Sequence, residues 1–168
     1  MLVYTFVSID AVAIFEMMHF ILIPDSTFNT NVLGLPLLVF VSINNYGRSY
    51  IIGCSFMARQ DGVCYRLAFE TFYRLTKLII PGVIISDQEA ALINAISEIY
   101  RAAPRQLCCF HLKKNVCEAF GARKEAIDLF WRIACCIDVG KLAEHFEALR
   151  KLAQTERQVK LVEKLITL

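Results

Sequence analysis

No stretch of this 168-residue sequence reaches the roughly 18 to 20 uninterrupted apolar residues that a membrane-spanning helix requires, although 57% of it is hydrophobic. The best candidate, residues 1–23, is interrupted by Asp10, Glu16 and His19; residues 35–43 are strand-sized, and residues 78–81 end on Pro81. Basic residues ahead of an apolar stretch and small residues at a cleavage point, the marks of a secretory signal, are also missing. Charge is scarce as well: only 20% of the chain is charged, and the first 58 residues carry just Asp10, Glu16, Asp25 and Arg48. The expectation is a soluble chain, not a membrane protein, of a length that suits one domain with its own core.

Cysteine is present but not as a framework. The seven residues Cys54, Cys64, Cys108, Cys109, Cys117, Cys135 and Cys136 are odd in number and include two adjacent pairs. That pattern does not suit a secreted disulfide scaffold, so reduced, mostly core-filling thiols in an intracellular protein are expected.

The nearly uncharged first third reads as a sheet. Apolar runs over residues 20–24, 35–43 and 48–57, with the hairpin signal Asn44-Asn45-Tyr46-Gly47 between the last two, predict three strands in an antiparallel meander. Over residues 63–77 the period changes, with Leu67, Ala68, Phe72 and Leu75 at helical spacing. Residues 82–86 make a short β-branched strand, and Leu92, Ala95, Ile96 and Ile99 form the apolar face of a second helix. Residues 106–110 suggest a fifth strand. Beyond them the chain reads as helix with one break near Gln154, where Thr155-Glu156-Arg157-Gln158 has capping-box spacing. The fold class is therefore α/β: three antiparallel strands, then strand-helix units, then a helical segment.

A strand-helix-strand unit within one sheet normally makes its strands parallel. If the fourth strand lies beside the first, Asp25 and Asp87 come together at the ends of neighbouring strands. Two carboxylates so placed suit a divalent cation such as Mg²⁺, which takes oxygen ligands and binds one or two protein carboxylates plus phosphate. Metal-assisted phosphodiester chemistry is one function open to such a pair. A second reading stands beside it: Ser86-Asp87-Gln88-Glu89 has capping-box spacing, so Asp87 would serve a helix start, and Asp25 would form a turn.

More specific is the ordered set Asp25-Ser26-Thr27-Phe28-Asn29-Thr30-Asn31, Leu35-Pro36-Leu37-Leu38, Gly53-Cys54, Ile84-Ile85-Ser86-Asp87-Gln88-Glu89-Ala90-Ala91-Leu92 and Leu107-Cys108-Cys109-Phe110-His111-Leu112-Lys113-Lys114-Asn115. Over residues 20–120 these resemble the Mutator-like element (MULE) transposase domain, a family whose relatives include plant far-red-impaired-response proteins that act as transcription factors. The resemblance implies an RNase H-like fold with a DDE triad, Asp25 and Asp87 as its first two catalytic and metal-binding carboxylates, and Mg²⁺ or Mn²⁺ as cofactor. It further implies DNA as partner, both element ends and target, and a nuclear location, and it leaves open a homo-oligomer and whether the chain is an enzyme. A glutamate after a helical insertion completes the family's triad. Residues 121–168 would be the start of that insertion, and none of Glu144, Glu147, Glu156 and Glu163 has the expected context. The chain departs from the family at Asn29, where lysine is common, at Gln60, where an acidic residue is common, and in having Pro24 directly before Asp25. Residues 1–19 match it poorly.

Cys108 and His111 form a Cys-x-x-His motif typical of the family; two ligands fall short of the four of a structural zinc site, and zinc is not expected. Residues 101–124 carry six basic side chains (Arg101, Arg105, Lys113, Lys114, Arg123 and Lys124) against Glu118, a local +5 within a net +2. Such clustering attracts phosphate, with Arg105, Lys113 and Lys114 the named DNA contacts, although a solvated helix face accounts for the charge equally well. Three functions remain in view: an incomplete transposase core, a non-catalytic DNA-binding regulator of the same fold, and a small-ligand α/β domain in which both aspartates are structural.

Overall fold

The computed structural model describes residues 3–27 and 30–166; Asn29, within the turn expected after Asp25, lies outside the described residues. Contacts divide the chain into two units that meet between Cys108 and Cys109. The first holds β1 (Val3–Val7), α1 (Ile9–Met17), β2 (Ile21–Thr27), β3 (Leu37–Ile43), β4 (Ser49–Met57), α2 (Gly62–Leu75), β5 (Val83–Ser86), α3 (Ala90–Ile99) and β6 (Arg105–Leu107). The second holds α4 (Cys109–Phe120), α5 (Lys124–Ala134), α6 (Val139–Leu152) and α7 (Glu156–Ile166). Among the described residues no helix is long and apolar enough to cross a membrane.

The six strands form one mixed sheet in the order β1-β4-β3-β2-β5-β6. The expected meander is β2, β3 and β4, antiparallel throughout. Its hairpin closes because the Asn44 side-chain oxygen accepts from the backbone N–H groups of Tyr46 and Arg48, both at 3.0 Å. β5 then lies beside β2, parallel to it, and β6 beside β5. Two elements were not expected: β1 pairs with β4 at the sheet edge, and α1 is capped by Ser8, whose hydroxyl accepts from the Ala11 N–H. Both lie in the largely apolar stretch of residues 1–23, where neither a period of two nor one of 3.6 stands out.

Period-two alternation sends Leu22, Leu38 and Phe40 to one face of the sheet, where all three are fully buried. Across from Phe40 the register slips, with Phe40 opposite Gly53 but Val41 opposite Ile51, leaving Ile52 as the extra residue of a bulge. The bulge switches the phase of β4, so that Ile52 and Met57 both reach the buried face despite their odd separation. The helices α1, α2 and α3 supply that face with Phe15, Tyr65, Ala68, Phe69, Phe72, Leu92, Ala95 and Ile96. At the centre Phe40 and Phe72 stack with ring centroids 3.8 Å apart, and Phe69 meets Phe40 edge-on at 5.4 Å. Tyr100 closes this cluster against Phe69 and Tyr73. The stripe on α2 is rotated from the expected one: Cys64, Tyr65 and Phe69 are buried, whereas Leu75 is exposed.

The helical tail is more broken than expected. Gly121 adopts φ +66° and ends α4, and Asp138 starts α6 by accepting from the N–H groups of Gly140 and Lys141. The expected break at Gln154 is present and is a reciprocal cap. Gln158 Oε1 accepts from the N–H groups of Gln154 (2.7 Å) and Thr155 (3.0 Å), while Thr155 Oγ1 accepts from the Gln158 N–H. Val116, Phe120, Ala126, Phe130, Leu149, Val162 and Leu165 form the separate core of this unit. Trp131 is 42% exposed and its ring meets that of Phe130 at 5.3 Å.

Three outcomes follow from this packing. Phe72→Ala should destabilise the first unit by about 3–5 kcal/mol, the usual cost of emptying a buried aromatic site, read from urea unfolding. Gly82 lies so close to β2 that an added Cβ would sit 2.9 Å from the Phe20 carbonyl oxygen. Gly82→Ala should therefore cost about 1–3 kcal/mol as backbone is pushed apart, read from the same titration. Burial, with a smaller effect from Tyr73, holds the Tyr100 phenol well above its ordinary value. The folded chain keeps a proton that the unfolded chain releases near pH 10, so this contribution is intact at neutral pH and declines as pH rises past about 10. The urea midpoint should fall between roughly pH 10 and 11, and fall less steeply in Tyr100→Phe.

Candidate metal centre

β2 and β5 are in register with Ile21 opposite Val83 and Leu22 opposite Ile84. Carried three residues further, the same offset sets Asp25 opposite Asp87, one residue past the end of β5. Alternation also assigns them one face. Leu22, Pro24, Ile84 and Ser86 point into the helix-covered core, and the residues between them, ending in Asp25 and Asp87, point to the other side. Asp25 pairs across the sheet with Val39, which shares that face. Pro24 has no N–H to contribute to a ladder, and the β2–β5 pairing stops at Leu22.

Both aspartates are half-buried. Asp87 Oδ1 accepts from the Gln88 N–H at 2.6 Å, turning the chain between β5 and α3. The capping box of the second reading at Ser86 is absent: Ser86 is a buried strand residue, α3 begins only at Ala90, and its flanking Glu89 makes no side-chain cap bond. Glu89 instead accepts a 2.8 Å hydrogen bond from the Tyr65 hydroxyl of α2. Next to Asp25, the Ser26 hydroxyl accepts from Gln60 Nε2. Burial, reinforced by Glu89 and Asp87, pushes the Tyr65 phenol far up, while nearby Ser26 opposes that shift. Tyr65 thus remains a neutral donor at physiological pH.

The donor set suits a hard cation of the Mg²⁺ or Mn²⁺ type, since two carboxylates on adjacent strands leave the remaining positions to water and phosphate oxygens. Among the described residues no three His, Cys, Asp or Glu side chains gather as a metal cage. Cys108 closes the first unit and His111 lies in α4 of the second.

The basic residues differ in what they do locally. The Arg105 guanidinium lies along α3, donating to the Ser97 hydroxyl and, at 3.3 Å, to the Ile93 carbonyl. Lys114 stands 3.9 Å from Glu118, which also meets Arg157 at 3.8 Å. Lys113, on the same helix, is half-buried. Sequence reasoning missed Tyr65, Gln60, Ser26 and Glu89 as a group. The one visible signal was a phenol within the apolar stripe of α2, where a buried hydroxyl needs a partner.

A model of the MULE transposase domain matches residues 21–115. Protein FAR1-RELATED SEQUENCE 5 from Arabidopsis thaliana is 26% identical over 108 residues, which are 63% of this chain and 14% of that protein. A PKS-NRPS hybrid synthetase, cheA, from Chaetomium globosum is 29% identical over 101 residues, 58% of this chain and 2% of that protein. Protein FAR-RED IMPAIRED RESPONSE 1 from Arabidopsis thaliana is 26% identical over 86 residues, 51% of this chain and 10% of that protein. The chain thus spans a small part of the length of the curated relatives it matches. The family match begins with β2, passes through Asp25 and Asp87 and ends within α4, and the chain belongs to the MULE transposase domain family.

Proposed function

We propose that the first unit is the RNase H-like carboxylate centre of a DDE transposase, acting on DNA in the nucleus. The observation that supports this reading is the parallel β2–β5 pairing, whose register, extended three residues past its last pair, would bring Asp25 level with Asp87. Asp25 and Asp87 would hold Mg²⁺ or Mn²⁺. When bound, such a cation lowers the pKa of an attacking water or 3′-hydroxyl and neutralises charge developing on the phosphodiester. The chain's own part is placement. Asp25 would be placed by its strand, which pairs with β3, and Asp87 by the Gln88 N–H, from which its Oδ1 accepts. Lys113 and Lys114 on α4 supply the positive charge expected to attract the DNA backbone.

Similarity to the Arabidopsis FAR1-related proteins supports a second reading, a transposase-derived regulator that keeps the fold and binds DNA without cutting it. The two readings separate in one set of measurements. For the catalytic reading, Mn²⁺ binding followed by electron paramagnetic resonance should weaken at least ~10-fold in Asp25→Asn and in Asp87→Asn. Mn²⁺-dependent nicking of supercoiled plasmid, measured with downstream sequence carrying the family's third carboxylate restored, should disappear in both variants. Salt-sensitive DNA binding with no Mn²⁺ binding and no nicking would overturn the catalytic reading in favour of the regulator.

A further inference from the structure

Two side-chain hydrogen bonds tie α2 and the loop before it to the neighbours of the two aspartates. Gln60, in the loop that leads into α2, donates to Ser26, the immediate neighbour of Asp25 on β2. Tyr65, one turn into α2, donates to Glu89, two residues after Asp87. One short segment therefore contacts a residue beside each aspartate, Ser26 next to Asp25 and Glu89 two residues past Asp87. The segment is itself anchored: the Asp61 side chain accepts from the Cys64 N–H at 2.9 Å, and Arg59 meets Asp61 at 2.9 Å. Tyr65 is completely buried, so its ring is held by the core while its hydroxyl reaches Glu89. Such a grip matters here because the β2–β5 ladder has already ended at Leu22 and Ile84, three residues short of Asp25 and Asp87. Beyond the last paired residues, backbone hydrogen bonds between the two strands no longer set the separation of the carboxylates.

We propose that Tyr65 and Gln60 are positioning residues, a two-point clamp from α2 that fixes the spacing of Asp25 and Asp87 for a divalent cation. This rests on the metal-centre reading above. Neither residue touches the cation; each acts through a neighbour of an aspartate. Glu89 serves as an acceptor for the Tyr65 hydroxyl, and its charge is not what the clamp uses. A carboxamide at position 89 still offers an oxygen to that hydroxyl.

The test measures Mn²⁺ affinity of the whole 168-residue chain by electron paramagnetic resonance, with thermal melts confirming that each variant is folded. Tyr65→Phe, Glu89→Ala and Gln60→Ala should each weaken Mn²⁺ binding by about 5–10-fold, at the low end of what loss of a supporting partner costs. The double variant Tyr65→Phe/Glu89→Ala should be no weaker than either single one, since both break the same bond. Glu89→Gln should restore binding to near that of the unaltered chain. Glu89→Gln as weak as Glu89→Ala would make the charge of Glu89 the operative feature and overturn the clamp. Unchanged binding in folded Tyr65→Phe and Gln60→Ala, with binding lost in Asp87→Asn, would overturn the clamp while leaving the metal centre standing. No Mn²⁺ binding by the folded unaltered chain would overturn the metal centre and the clamp with it.

Discussion

The parallel pairing of β2 with β5 is the constraint on which the candidate centre depends. Parallel neighbours cannot be joined by a tight turn, so the chain must leave β2, build β3 and β4, and return through α2 before β5 can be laid down. That return brings a second strand end to the edge where β2 finishes. It also obliges the backbone to pass β2 closely enough that only glycine fits at position 82. Leu22 and Ile84, opposite one another and fully buried, make the pairing energetically dependent on the core beneath it.

That core is aromatic and local to the crossover. Phe40 belongs to the meander and Phe72 to the returning helix, and their stacked rings join the two parts of the first unit that parallel pairing brings together. The bulge at Ile52 serves the same core: without the change of phase, β4 would present either Ile52 or Met57 to it, but not both. Packing, register and the position of the strand ends are in this sense one arrangement.

Much of this was legible in the sequence where the signal was periodic. The change from β-branched runs to helical spacing after residue 62, and the run at residues 82–86, located β5 and its crossover, and a single topological rule then set β5 parallel to β2. Where the signal was uniform it failed. The apolar stretch before β2 hides a strand and a helix because its exposed positions are largely apolar too, Tyr4, Phe6, Ile9 and Met17 among them, so few polar residues mark a period. Spacing alone also misled at Ser86, since a capping-box pattern does not distinguish a helix start from a buried strand end followed by a turn. In the tail, Gly121 and Asp138 were local stop and start signals overshadowed by the continuous apolar stripes around them. The contacts from Tyr65 to Glu89 and from Gln60 to Ser26 span 24 and 34 residues, and no local pattern encodes a pairing at that range.

The alternation of β2 has one more consequence. Leu22, Pro24 and Ser26 face the helices, whereas Asp25 stands among them on the opposite side. Folding and the proposed chemistry would thus draw on different residues of a single strand. Selection can act on one set without disturbing the other. A lineage that stopped cutting DNA could exchange Asp25 in a single step and keep the scaffold and whatever surface a later role recruits. In such an architecture the loss of an activity and the survival of the domain are separate evolutionary events.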